Sequence, residues 1–85
     1  MYYVYILKSC KNGRYYIGCT SNIEKRLSEH NKGKTKSTRL FMPWKLIYNE
    51  CFSDKHLAFR REWHLKHPKG FLEKKEIIKK FEGVA

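Results

Sequence analysis

The pair Asn12-Gly13 does most to limit the folds open to this chain, because it stands between two short runs of aromatic and β-branched residues. Tyr2-Tyr3-Val4-Tyr5-Ile6-Leu7 precedes it and Arg14-Tyr15-Tyr16-Ile17-Gly18 follows. Asn and Gly accept the positive φ angles of a tight reversal, so the segment reads as a β-hairpin. A two-residue turn would pair Lys11 with Arg14 and set Tyr5 opposite Thr20. Side chains alternate between the faces of a sheet, which puts Tyr5 and Tyr16 on the same side.

Helix and strand signals follow in turn. Ser21-Asn22-Ile23-Glu24 carries a capping box led by the serine, and Gly33 offers a stop, so a helix is predicted from about Asn22 to Lys32. Ile23 and Leu27 form its apolar row, while Arg26 and His30 sit together in a neighbouring row at the edge of the core-facing side. Beyond a basic loop closed by Pro43, the segment from Trp44 to Glu50 reads as a strand with Trp44, Leu46 and Tyr48 on one face. Ser53 or Asp54 can cap a second helix running to about His67, where Pro68 stops it. Gly70 separates that helix from a third, from about Phe71 to Phe81. The order is β-β-α-β-α-α in one small α+β domain over residues 1–82, with a frayed tail at Gly83-Val84-Ala85.

Charge narrows the partners. Nineteen Lys and Arg against eight Asp and Glu leave +11 on 85 residues, an excess that favours a polyanion and nucleic acid first. Between Glu29 and Glu50 there is no acidic residue, while Lys32, Lys34, Lys36, Arg39 and Lys45 all fall there. With Arg60 and Arg61 they are the candidate phosphate contacts, against the plainer reading of a solvated basic surface. No stretch reaches the roughly 18–20 apolar residues of a bilayer span and no secretory signal opens the chain, so a cytoplasmic protein without a membrane partner is expected. Cys10, Cys19 and Cys51 are odd in number without CxxC spacing and read as buried or half-buried thiols. His64 and His67 lie three apart, but Pro68 ends the segment and no Cys pair completes a zinc set.

On the second helix Glu62 falls at about 140° on a wheel counted from Leu57, inside the arc of Leu65, Ala58 and Phe59. A carboxylate turned toward the core is costly unless paired, hydrogen-bonded or bound to a cation. Glu62 therefore needs a partner such as Arg26 or a metal.

Tyr3-Val4-Tyr5, then Tyr16-Ile17-Gly18, Thr20, Arg26 and His30 on one helix, and Glu62 on a later one, form an ordered set that resembles the GIY-YIG nuclease family. The resemblance runs from Tyr2 to about Lys80 and is closest to small stand-alone members. In the first triplet only the final tyrosine matches the family name. It implies a three-stranded antiparallel sheet flanked by helices. It also implies hydrolysis of DNA phosphodiester bonds with one divalent metal, Mg²⁺ or else Mn²⁺, leaving a 5′ phosphate and a 3′ hydroxyl. Carried over residue by residue, the resemblance makes Glu62 the metal ligand and Arg26 the phosphate-binding charge. Tyr5 and Tyr16 become the active-site tyrosines, one of them placing or deprotonating the attacking water, and His30 fills a position that holds a histidine or a tyrosine. Gly18 would allow a close backbone approach at the end of the hairpin. Whether His30 or a tyrosine takes the proton stays open, since a neutral imidazole has the pKa nearer neutrality but a metal and Arg26 can depress that of a phenol.

One departure stands out. Many catalytic members carry an asparagine about a dozen residues after the metal-binding glutamate, and here that region reads Lys74-Lys75-Glu76, with no asparagine after Asn49. Lys66, one turn beyond Glu62, or Lys74 could supply a positive contact instead. The alternative is a non-catalytic nucleic-acid-binding module in which Phe41 or Trp63 stacks on unpaired bases, and a protein-interaction adaptor is a further one. The resemblance implies DNA in preference to RNA, and without a zinc finger or helix-turn-helix a nuclease of this size would select it by structure or through a recruiting partner.

Overall fold

The computed structural model describes residues 1–82. The tail expected at Gly83-Val84-Ala85 lies outside the described residues. Strands β1 (Tyr2–Ser9), β2 (Tyr15–Thr20) and β3 (Trp44–Phe52) form an antiparallel sheet in the order β2-β1-β3. Helix α1 (Ile23–Asn31) joins β2 to β3, and α2 (Lys55–Lys66) and α3 (Phe71–Glu82) follow β3. Val4, Tyr5, Ile6 and Leu7 in the central strand are all buried, because helices cover both faces of the sheet. Val4, Ile6 and Ile17 pack with Ala58 and Leu65 of α2 on one face. On the other, Tyr5, Leu7 and Trp44 pack with Tyr16 and with Ile23 and Leu27 of α1.

The hairpin differs from the expected register. Tyr5 pairs with Gly18 and Lys8 with Tyr15, so the reversal is a longer loop than a two-residue Asn12-Gly13 turn. Gly13 still supplies the positive φ, at +76°. The buried Ser9 sets the loop length: its Oγ accepts the backbone N–H of Lys11 at 3.1 Å and of Asn12 at 3.2 Å, and donates to the Phe41 carbonyl. The register moves by two residues, which preserves the alternation, and Tyr5 and Tyr16 do share a face with ring centroids 6.3 Å apart.

Three further local expectations change. Asn22, not Ser21, caps α1, its Oδ1 accepting the N–H of Lys25 at 3.1 Å, while the Thr20 hydroxyl accepts the N–H of Asn22 in the preceding turn. A bulge shifts the β1–β3 pairing between Ile6/Tyr48 and Leu7/Leu46. Trp44 and Leu46 therefore pack on the α1 face while Tyr48 packs on the α2 face, so the three do not share a side. Cys10 and Cys51 are exposed, and only Cys19 is half-buried.

Arg61, expected to contact phosphate, has its guanidinium committed elsewhere. It bridges Glu50 of β3, with Nε at 2.8 Å from Oε1, and Glu73 of α3, and Tyr48 adds its hydroxyl to Glu50. This cluster fastens α2 to the sheet and to α3. Arg61→Met leaves the largely buried Glu50 carboxylate without its cation and should cost about 1–3 kcal/mol. Thermal unfolding checks this, and an unchanged Tm would show that solvent already screens the cluster.

Candidate active site

Strand β2 is an edge strand, so side chains from opposite faces of the sheet can meet around it. Tyr16 on β2 and Tyr5 on β1 lie under α1, which contributes Arg26 and His30, while Glu62 and Lys66 reach the same edge from α2. Ring centroids place Tyr16 4.8 Å from His30 and Tyr5 6.2 Å from it. The Lys66 ammonium lies 5.9 Å from the Tyr16 ring centre and 2.7 Å from Glu62 Oε2.

Gly18 makes room for this arrangement. It sits within β2 and not at the hairpin's end, directly opposite Tyr5, and what lies over it is a side chain and not a backbone. A Cβ there would meet the Tyr5 hydroxyl oxygen at 2.4 Å and Cζ at 2.6 Å. The phenol ring lies across the bare α-carbon of its cross-strand partner.

His30 is fully buried, not at the edge of the helix face as its row predicts. Its Nε2 is 3.2 Å from the Tyr5 hydroxyl and its Nδ1 is 2.8 Å from the Thr38 hydroxyl, itself buried and 3.4 Å from the Thr35 carbonyl. The Arg26 guanidinium donates to Glu29 at 3.1 Å and lies close enough to the Tyr5 hydroxyl for each to act on the other's charge. One proton assignment suits the chain of contacts from Tyr5 through His30 to Thr38. The Tyr5 hydroxyl donates to Nε2, Nδ1–H donates to Thr38, and Thr38 donates to the Thr35 carbonyl.

The ionisation states follow from burial. Burial pushes the Tyr5 phenol up to about 12, with Tyr16 and Glu62 adding to the rise and Arg26 opposing it. Burial, helped by Arg26, also lowers the pKa of His30, while Glu29 works weakly the other way. Arg26 keeps its proton firmly: burial works against its charge, but Glu29 and Tyr5 outweigh it. At neutral pH the pair is thus a phenol and a neutral imidazole.

A pH effect on stability results. A histidine whose folded pKa is depressed contributes stability above its unfolded value of about 6.5 and loses it as pH falls through the folded value. Between pH 7 and pH 5 the wild type should lose thermal stability, and His30→Gln should show a flatter profile. Parallel profiles for the two proteins would remove His30 as the cause.

Glu62 has Lys66 for its partner, and Arg26 is engaged by Glu29 and Tyr5 instead. On α2 Ala58 and Leu65 are buried while Phe59 is 46% exposed, so the core-facing arc is narrower than the wheel predicts and Glu62 stands at its rim. Its side chain is 21% exposed and, among the described residues, only Lys66 hydrogen-bonds it. Its negative charge still acts on Tyr5 and on Cys19, helping to raise both.

Five residues selected from the sequence, Tyr5, Tyr16, Arg26, His30 and Glu62, thus surround one edge. Lys32, Lys34, Lys36, Arg39 and Lys45 are exposed at and after the end of α1, and Arg60 is exposed on α2. Sequence reasoning missed Thr38, whose role depends on a contact eight residues away from His30. It also missed Asn31, which clamps α1 to β3 by accepting the Trp44 N–H at 2.6 Å and donating to the Trp44 carbonyl at 2.9 Å. No local signal marks either residue.

The model of the GIY-YIG catalytic domain matches residues 1–76. The chain belongs to the GIY-YIG family. A UPF0213 protein from Bacillus licheniformis is 52% identical over 66 residues, 76% of this chain and 67% of that protein. One from Staphylococcus haemolyticus is 47% identical over 66 residues, covering 76% of this chain and 79% of the relative. The solution NMR structure of a UPF0213 protein from Bacillus halodurans superimposes with a TM-score of 0.57 at 34% identity, over 96% of this chain and 88% of that one. A three-stranded antiparallel sheet with helices is accordingly the fold of this GIY-YIG chain, as the sequence resemblance implied. Membership places it in a nuclease family whose members act on nucleic acid and generally use divalent metals.

Proposed function

We propose that this protein is a metal-dependent endonuclease that hydrolyses DNA phosphodiester bonds, selecting its substrate by structure or through a partner. The observation that carries the reading is the meeting of a buried Tyr5–His30 hydrogen bond, the Arg26 cation and the Glu62 carboxylate around one sheet edge. Structural ion pairs and core tyrosines do not require a buried phenol hydrogen-bonded to an imidazole with a guanidinium beside them.

The residues present fit a divalent cation in one way. Among the described residues no three His, Cys, Asp or Glu side chains converge, so the protein offers no cage of side chains. A hard cation such as Mg²⁺ accepts that, taking waters and substrate phosphate oxygens as its other ligands. Glu62 would hold it, and when bound it would stabilise charge on the departing 3′ oxygen.

The chain's own groups do the rest. Arg26 offsets charge growing on the phosphoryl oxygens. Tyr5 is too weakly acidic to act as a standing phenolate, so it works as a relay: its oxygen takes a proton from the attacking water while its own proton moves to His30 Nε2. His30 is ready for that transfer because it is neutral, and its Nδ1–H stays anchored on Thr38. Tyr16 packs against both partners and holds their rings in place. Lys66 stands beside Glu62, where it could supply the positive contact missing with the asparagine.

Nicking of supercoiled plasmid and cutting of a branched duplex in Mg²⁺ or Mn²⁺ test this reading. The wild type should cut, chelator should stop it, and Tyr5→Phe and Glu62→Ala should bind without cutting. Tight binding with no cleavage above the Glu62→Ala background would make this a binding module on a nuclease fold.

A further inference from the structure

Helix α3 has two faces with different tasks. Glu73, Ile77 and Phe81 turn toward the body, meeting Arg61 and His64, the core under α2, and Tyr48 in that order. Phe71, Lys74, Lys75, Ile78 and Lys79 repeat at helical spacing on another face, and with Tyr15 of β2 they line an open groove of about 680 Å³. Phe71 is 49% exposed and continues into Leu72, 75% exposed, so the groove floor offers an open apolar surface with an aromatic ring at its start. The Lys74 and Lys75 ammonium groups lie 5.8 and 5.3 Å from its ring centre.

The groove continues into the site. A second hollow, lined by Lys66, His67, Pro68, Phe71 and Lys74, shares Phe71 and Lys74 with the first. Lys66 at its other end touches Glu62 and lies over Tyr16. Cations and an aromatic ring thus form one track leading from the sheet edge along α3.

We propose that this track binds a single-stranded segment of nucleic acid, with a base stacked on Phe71 and the backbone held by Lys66, Lys74, Lys75 and Lys79. The assignment rests on the nuclease reading above for its direction but not for its chemistry. An exposed aromatic with two ammonium groups at its face holds both elements that a flexible strand needs, a π surface for the base and cations for the phosphates. The lysines that lie over the ring move onto phosphate as a base takes their place. A rigid duplex presents no unstacked base to Phe71, so the track favours single strands, including the arm of a flap or branch. The charge required is present: of the residues lining the longer groove, three are lysines and one is acidic.

The test is fluorescence anisotropy with a labelled thymidine oligonucleotide, its ribose counterpart and a blunt duplex of equal length, using the cleavage-silent Glu62→Ala protein. Phe71→Ala in that background should weaken binding of the single strand roughly tenfold, from loss of one stacked base, and leave duplex binding nearly unchanged. Lys74→Gln with Lys75→Gln should lower the slope of log affinity against log salt by about 1.4, two phosphate contacts at about 0.7 each. Leu40→Ser, at an exposed apolar residue that lines neither hollow, is the control and should change neither. Equal response of the DNA and RNA strands assigns the track to single strands in general, and a difference tells which sugar it reads.

Single-strand affinity and salt slope unchanged in both groove variants would overturn the proposal, as would a duplex bound more tightly than the strand. A dimer dissolved by Phe71→Ala, with oligonucleotide affinity intact, would give the face to a second copy and overturn it as well. The two readings fail separately. Groove-dependent binding without any cleavage by the wild type removes the nuclease, and cleavage untouched by the groove variants removes the track.

Discussion

Glu62→Ala should reduce cleavage by at least about a hundredfold to a thousandfold, the cost typical of removing one preorganised charge that acts on the transition state. The loss should be large because the site has no cage of side chains to hold a cation without Glu62: among the described residues no three potential metal-binding side chains converge. Binding should persist, because Glu62 is one negative charge in a protein of net charge +11 and its removal frees Lys66 to meet phosphate. Stability should change little, since the ion pair with Lys66 joins partly exposed groups one helical turn apart. The readout is a single-turnover rate beside an anisotropy titration and a melting curve. A rate within about threefold of wild type would remove Glu62 from the chemistry, and a large fall in Tm would make it a structural residue.

Gly18→Ala should damage stability and activity together. The added Cβ would sit 2.4 Å from the Tyr5 hydroxyl oxygen and 2.6 Å from Cζ, well inside contact distance. The ring is buried between β2 and α1 and cannot swing out without leaving His30 Nε2 and Arg26. Overpacking of this kind costs about 1–3 kcal/mol, which for a domain of this size lowers Tm by roughly 5–20 °C. Cleavage should fall by about a hundredfold or more, the usual contribution of a positioned proton-transfer group. Gly13→Ala separates this from a general glycine effect. Its φ of +76° makes the substitution strained, but nothing lies within 4 Å of the new Cβ, so it should cost stability and spare the rate per folded molecule. If Gly18→Ala melts and cuts like the wild type, Tyr5 can move aside and its placement against His30 is not needed.

Much of the fold could be read from local patterns. Aromatic runs on either side of Asn12-Gly13 announced the hairpin, and Asp54, Pro68 and Gly70 bounded α2 and α3 because caps and breakers act within a few residues. The face shared by Tyr5 and Tyr16 survived a wrong turn length, since a slip of two residues preserves the alternation. The bulge in β3 did not announce itself, and it moved Tyr48 to the opposite side from Trp44. Bulges arise from the fit of one strand to its neighbour, and no single strand encodes them.

For the site, the residue types and their order were determined by the sequence alone, and so was the excess of positive charge that favours a nucleic-acid partner. Helical spacing could place Arg26 beside His30, and a wheel could set Glu62 near a core-facing arc. Which charge met which was decided by the tertiary structure: Arg26 went to Glu29 and Tyr5, Glu62 to Lys66, and Arg61 to Glu50 and Glu73. Local periodicity describes one element at a time. Ion pairs and burial depend on how elements approach one another, and here the deciding approach was the closure of α1 and α2 from opposite faces around an edge strand thinned by Gly18.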